Sequence, residues 1–123
     1  MYKYIILCFS ILIFSSFKIC NPDEHISFDK KTHDFGNITQ GVPVSSIFVI
    51  SNIGEEDVLI NNIKTQCGCT SPNYSKTPIA KSGKQNITVG FNAVVAGSFT
   101  KKLTVETNFG EVELIIRGNV IAN

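Results

Sequence analysis

At 123 residues and 13.5 kDa the chain has room for one small domain and no more. Its formal charge of +1, from 11 Lys+Arg against 10 Asp+Glu, offers no general attraction for nucleic acid or for an acidic substrate. Nine Phe, nine Gly and no Trp, with abundant Val, Ile and Thr, suit a β protein.

The first segment differs from all that follows. After Met1-Tyr2-Lys3 the chain runs apolar or hydroxyl from Tyr4 to Phe17, and Lys18 ends the run. As a helix this run would reach roughly 21 Å, short of the ~30 Å hydrocarbon core, so it reads as a secretory signal over residues 1–19 rather than a membrane span. No good pair of small residues precedes a cleavage point. Cys20 stands at the distance expected of a lipoprotein's acylated cysteine, although Lys18 and Ile19 are not the small residues that usually precede one. Lipidation of Cys20 and plain secretion are therefore both expectations. Residues 20–25, polar and acidic, read as a tether. Export to an envelope or periplasmic compartment, where disulfides persist, follows from either.

Residues 26–123 then show period-two apolar runs separated by turn residues, with no helical spacing. "HISFD" opens with Ile26 and Phe28 on one face, and "THDFGNITQG" places Phe35 and Ile38 about Gly36. "VSSIFVISNIG" is the strongest strand. It is apolar on both faces at its middle, which predicts a central position. "VLINNIK" follows, then the cysteine loop. "SKTPIAKSGKQ", with Pro78 and Gly83, reads as an edge segment and a turn. "QNITVGFNA" alternates Ile87, Val89 and Phe91 against polar residues. "GSFTKKLTVETN" carries Phe99, Leu103 and Val105, with Lys101-Lys102 marking a bulge. Asn108-Phe109-Gly110 makes a turn, and "EVELIIRGNVIA" closes the chain. Seven to eight short strands at this spacing predict a single Ig-like antiparallel β-sandwich, with a β-barrel as the structural alternative.

Chemistry is concentrated in "TQCGCTSP", where Cys67 and Cys69 flank Gly68. In an extended strand their Cα atoms would stand about 6.5–7 Å apart, at the limit for a disulfide, and only the freedom of Gly68 could draw them together. A bond closing so small a loop would contribute roughly 1.6 kcal/mol by the chain-entropy relation, little for a staple. Three readings stay open: a structural pair, a soft-metal site for Cu(I), or a redox-active dithiol. A structural zinc site would need His25 and His33 as well. No nucleophile elbow, phosphate loop or H-E-x-x-H motif is present, and no catalytic residue is assigned.

In its ordered motifs the chain resembles the bacterial domain-of-unknown-function family 1573, an exported Ig-like domain related to the Hydin/ASH type. The motifs are "HDFGNITQG", "FVISNIGEEDVLINNI", "QCGCTSP", "PIAKSGKQNITVGFN", "GSFTKKLTVETN" and "LIIRGNV", covering about residues 28 to 120. One departure is Tyr74, which stands near a position where the family often carries Trp. The resemblance implies the sandwich and export; it implies no reaction. Two function classes follow. One is a non-enzymatic envelope domain that binds a protein or glycan partner, or acts as a spacer, meeting the membrane only through a lipid on Cys20 and requiring no nucleic acid or cofactor. The other is a small thiol protein that binds Cu(I) or exchanges oxidising equivalents through Cys67 and Cys69.

Overall fold

The computed structural model describes residues 21–123, so the signal segment 1–19 and Cys20 lie outside the described residues. Two four-stranded sheets face each other. One has the order β1(Ile26–Phe28), β3(Val44–Asn52), β6(Lys84–Phe91), β5(Thr70–Asn73). The other has the order β2(Thr32–Thr39), β8(Gly110–Ile121), β7(Gly97–Thr107), β4(Ile60–Thr65). Within the segment read as a tether, Pro22–Glu24 forms a 3-10 turn capped by the Asn21 side chain, and the His25 ring stacks on Phe109 at 3.9 Å.

The alternation of the strands makes the core. Phe48 and Ile50 of β3, Ile87 and Val89 of β6, Leu103 and Val105 of β7, and Leu114 and Ile116 of β8 are all fully buried between the sheets. β3 is central, as predicted, but only its even-numbered face enters the core. Ile47 on the other face is largely exposed, so the two-faced apolar pattern does not mean burial on both sides.

Three further expectations are corrected. The sandwich is not wholly antiparallel, because β2 pairs with β8 in parallel, from Thr32 against Ile115 to Thr39 against Ile121. The chain crosses between sheets at Asp29, whose Oδ1 accepts the Val49 N–H at 2.8 Å. The edge strand beside β6 is Thr70–Asn73, immediately after the cysteines, while the Pro78 segment contributes a single bridge between Ile79 and Val58. Pro72 is tolerated in β5 because an edge strand has one side without ladder bonds. Lys101-Lys102 is no bulge. The β7–β8 register is unbroken from Gly97 against Val120 to Thr107 against Gly110, so Lys101 takes a core-facing position.

The irregularities fall instead at Gly36 in β2 and Asn61 in β4, where the register shifts. Gly36 has φ +67°, in the left-handed region. Opposite it, a Cβ at Gly118 would lie 2.9 Å from the Gly36 carbonyl oxygen and 3.0 Å from the Phe99 ring. Gly118→Ala is expected to cost about 1–3 kcal/mol, read by urea denaturation, because backbone stands in the way of the methyl group.

Candidate functional site

The cysteine loop, Gln66–Cys69, joins β4 to β5 and turns from one sheet to the other. It is held by four polar contacts that do not involve sulfur. Thr65 Oγ1 donates to the Cys67 carbonyl at 3.2 Å, and Gln66 Oε1 accepts the Lys102 N–H at 2.9 Å. The Thr70 N–H reaches the Cys67 carbonyl at 3.4 Å, and the Asn92 N–H reaches the Cys69 carbonyl at 3.0 Å. Cys67 and Cys69 are disulfide-bonded, with Cα atoms 5.4 Å apart. The turn brings the Cα atoms well inside the usual disulfide range, which removes the spacing difficulty that an extended strand would pose.

Neither sulfur is sealed in the core, and Gly68 between them is exposed. Cys69 lines two open depressions, one on each side. The first, about 320 Å³, is walled by Phe91, Val94, Val95, Phe99 and Lys101. The second, about 340 Å³, is walled by Pro43, Val44, Ser71 and Phe91. Cys67 lines neither. Phe91 and Phe99 stack at 4.1 Å and form the aromatic floor. Thr70, only 5% exposed, places its hydroxyl 4.0 Å from each sulfur.

Beside the loop, the 92–96 segment is bound to its neighbours by backbone. Ala93 is buried with φ +56°, and its carbonyl accepts the Gly41 N–H at 2.8 Å. Gln40 Nε2 donates to the Val94 carbonyl at 3.0 Å. A left-handed backbone at a non-glycine residue persists only when its surroundings hold it. Here the result is that Val94 and Val95 are turned outward, 55% and 74% exposed, with Val42 also exposed on the adjoining turn.

The histidines lie elsewhere. His25 is at the far end of β1 against Phe109, and His33 is on β2, where its Nδ1 accepts from Lys30 Nζ at 3.0 Å. Neither lines a depression that contains Cys69. Among the described residues no three His, Cys, Asp or Glu side chains converge as a metal site. Tyr74 is half-buried against the core and also stands outside both depressions.

Two side chains titrate away from their ordinary values. Partial burial, then the Lys30 charge, hold His33 below the usual imidazole pKa, with Asp34 opposing. The hydrogen bond to Glu106, at 2.7 Å, and the charge of that carboxylate raise Lys64 above the usual ammonium range. For His33 the folded state disfavours the proton, so the unfolded chain binds more protons as acid is added. Its contribution is expected to be fully present above the ordinary imidazole pKa of about 6.5, to fall as pH drops through that value, and to level off below the depressed folded pKa. Urea midpoints measured between about pH 8 and pH 5 should show this slope, and His33→Gln should flatten it.

Replacing both cysteines with serine is expected to lower stability by roughly 1.6 kcal/mol or less, because the closed loop is so short. The four sulfur-free contacts should keep the loop in place. A loss well beyond that, in thermal or urea melts, would mark the bond as a structural staple.

Sequence reading found the two cysteines. It did not find Thr70, Lys101 or the Phe91–Phe99 floor as their neighbours. The only local signal was the threonine that follows Cys69; the others come from β6 and β7 and meet the loop only through sheet pairing.

The comparisons with known proteins agree on the fold. A protein of unknown function from Porphyromonas gingivalis W83 superposes with a TM-score of 0.71 at 12% identity, covering 78% of this chain and 46% of that one. This chain thus spans less than half of that structure. The ASH/PapD-like domain 7 of human CEP192 gives a TM-score of 0.71 at 13% identity over 84% of this chain and 89% of that one. The Vibrio cholerae VesB protease structure gives 0.67 at 14% identity over 83% of this chain and 34% of that one. Such identities speak for the Ig-like architecture alone. Among curated proteins, none matches the chain in sequence. The family model described as "Protein of unknown function (DUF1573)" matches residues 26–120, the sandwich from the start of β1 to the penultimate residue of β8, and the chain belongs to that family.

Proposed function

We propose that the chain is an exported, envelope-associated Ig-like domain that binds a protein partner, without hydrolytic chemistry of its own. One observation carries this reading. The end of the sandwich formed by the 40–43 turn and the 92–96 loop turns Val42, Val94 and Val95 to solvent beside an aromatic-floored depression. Apolar side chains exposed together on a small domain favour a partner surface more than open water. Export is supported by the apolar run from Tyr4 to Phe17 and by Cys20, through which a lipid would hold the domain at a membrane.

The test uses the full chain expressed in a bacterium with two membranes. A photo-crosslinking residue at Val95 should give a discrete protein adduct in the envelope fraction. The same residue at Ile47, on the outer face of β3, should give none, and Val94→Asp should abolish the adduct. Diffuse or absent crosslinks at Val95 would reduce the domain to a spacer. A glycan-dependent signal would exchange the protein partner for a carbohydrate one. An unprocessed cytoplasmic chain would overturn the export reading.

The alternative reading is a small thiol protein acting through Cys67 and Cys69. A Cu(I) ion would require both thiols reduced, since the bonded pair offers no thiolate.

A further inference from the structure

We propose that Cys67 and Cys69 form a thiol–disulfide exchange centre for cysteine thiols of a protein partner, with Cys69 the sulfur attacked and Cys67 the leaving group. The inference stands on the geometry of the loop and does not depend on which surface recruits the partner.

Three observations converge. First, the bond joins two residues of one turn and ties no separate elements together, while the turn is already fixed by Thr65, Gln66 and Asn92. Opening it therefore releases no strand. Second, the depressions adjoin Cys69. Both cysteines are partly exposed and Cys69 also packs against the core, but Cys69 lines both depressions and Cys67 neither, so a partner chain seated in either one brings its thiolate to Cys69. The exposed Val94 and Val95 and the aromatic floor offer an apolar shelf for the chain on either side of the partner's cysteine. Third, the surroundings suit a thiolate. The buried Thr70 hydroxyl lies 4.0 Å from each sulfur and can turn its proton to whichever becomes charged. Lys101, core-facing and half-buried, lines the depression through which the attacking thiolate arrives. A cation and a hydroxyl donor both favour the ionised form of a thiol.

The step balances within the two proteins. A partner thiolate attacks Cys69 Sγ and forms a new S–S bond. The Cys67–Cys69 bond breaks, and its electron pair leaves on Cys67 as a thiolate that accepts the Thr70 hydrogen bond and then a proton from solvent. A second partner thiolate attacks the partner sulfur of the mixed disulfide and releases Cys69 as thiolate, which is protonated in turn. The partner loses two electrons and two protons and gains a disulfide. Cys67 and Cys69 gain the same electrons and protons as a dithiol.

Glutathione is the probe. The oxidised full chain is mixed with reduced glutathione under native conditions, quenched with acid and mapped by mass spectrometry. The expected adduct is on Cys69. Thr70→Val should slow native exchange by roughly tenfold, the worth of one hydrogen bond to a charged group, while leaving the melting temperature nearly unchanged. In the reduced protein the same variant should move the alkylation pH profile of Cys67 upward, which a purely structural threonine would not do. Val42→Asp, at the docking end but outside both depressions, serves as the separating control. Loss of the envelope crosslink with glutathione exchange intact would show that the docking and exchange readings stand or fall apart. Exchange that begins only once the domain is unfolded, an adduct predominantly on Cys67, or a Thr70→Val rate equal to wild type would overturn the proposal. So would envelope-purified protein that carries both thiols free and takes up one Cu(I), which would make the pair a metal site.

Discussion

Replacing Phe48 with alanine is expected to destabilise the domain by about 3–5 kcal/mol, the usual range for deleting a fully buried aromatic ring. Phe48 is 0% exposed, and it sits on the inner strand β3, paired with Ile87 of β6 and facing the opposing sheet. The cost has two parts. The ring's transfer from water is lost, and the surrounding strands cannot close over the vacancy because each is held in register by its ladder. In a domain of about 100 residues the loss corresponds to a fall in melting temperature on the order of 20 °C. Circular dichroism melts of the variant check this directly. A fall of only a few degrees would mean that the sheets can move together and that the core is not fixed by β3.

The second large effect is expected at Asn52, the one buried amide that organises a whole end of the molecule. It is 2% exposed. Its Nδ2 donates to the carbonyls of Glu56 at 2.7 Å and Ile79 at 2.8 Å, and its Oδ1 accepts the Gly54 N–H at 3.0 Å. Its main chain is bonded to Gly83 and Ser82 as well. The side chain thus serves three backbone groups from two loops that have no ladder of their own. Asn52→Ala is expected to cost about 3 kcal/mol, near 1 kcal/mol for each bond lost, and more if water cannot reach the Glu56 carbonyl, whereas the Ile79 carbonyl keeps the Val58 N–H. Asn52→Asp is the sharper variant. It keeps the acceptor for Gly54 but turns a carboxylate oxygen toward two carbonyl oxygens, so its loss should grow as pH rises and the acid ionises. Urea denaturation of both variants at acid and neutral pH would separate the lost donor from the added charge. Equal losses at both pH values would mean that the carboxyl stays protonated in the fold.

The same residue shows what the sequence could and could not convey. "FVISNIG" was legible as a strand and a turn, because apolar alternation ending in Asn and Gly is a local signal. The reason for Asn52 was only partly local: Gly54 and Glu56 are near in sequence, but its partner at Ile79 arrives from a loop 27 positions away. The glycine two places on has a similar explanation, since a Cβ at Gly54 would lie 2.8 Å from His25 Nδ1. The two-sheet fold and the core residues of β6, β7 and β8 could be read from period-two patterning, because each inward residue marks itself. Pairing direction could not. A parallel β2–β8 contact leaves the same alternation on each strand as an antiparallel one would. The edge was misplaced for a related reason. Pro72 beside a cysteine loop looks like a break, and only the register of β5 against β6 shows that Thr70–Asn73 is a strand. At the candidate site, the cysteines were visible as letters, but their bond, the half-open setting of Cys69 and the Thr70 hydroxyl between the sulfurs depend on the turn's geometry.

The parallel pairing of β2 with β8 carries a mechanical consequence. Tension on the flanking chain pulls β2 from its first residue and β8 from its last, which lie at opposite ends of two strands running the same way. The three-residue β1 can be unzipped from β3 a bond at a time. The β2–β8 ladder cannot, since the load falls on its hydrogen bonds together, along the strands. A stretched chain should therefore extend by a short step as β1 detaches and then resist at a much higher force until the β2–β8 seam slides and the domain gives way at once.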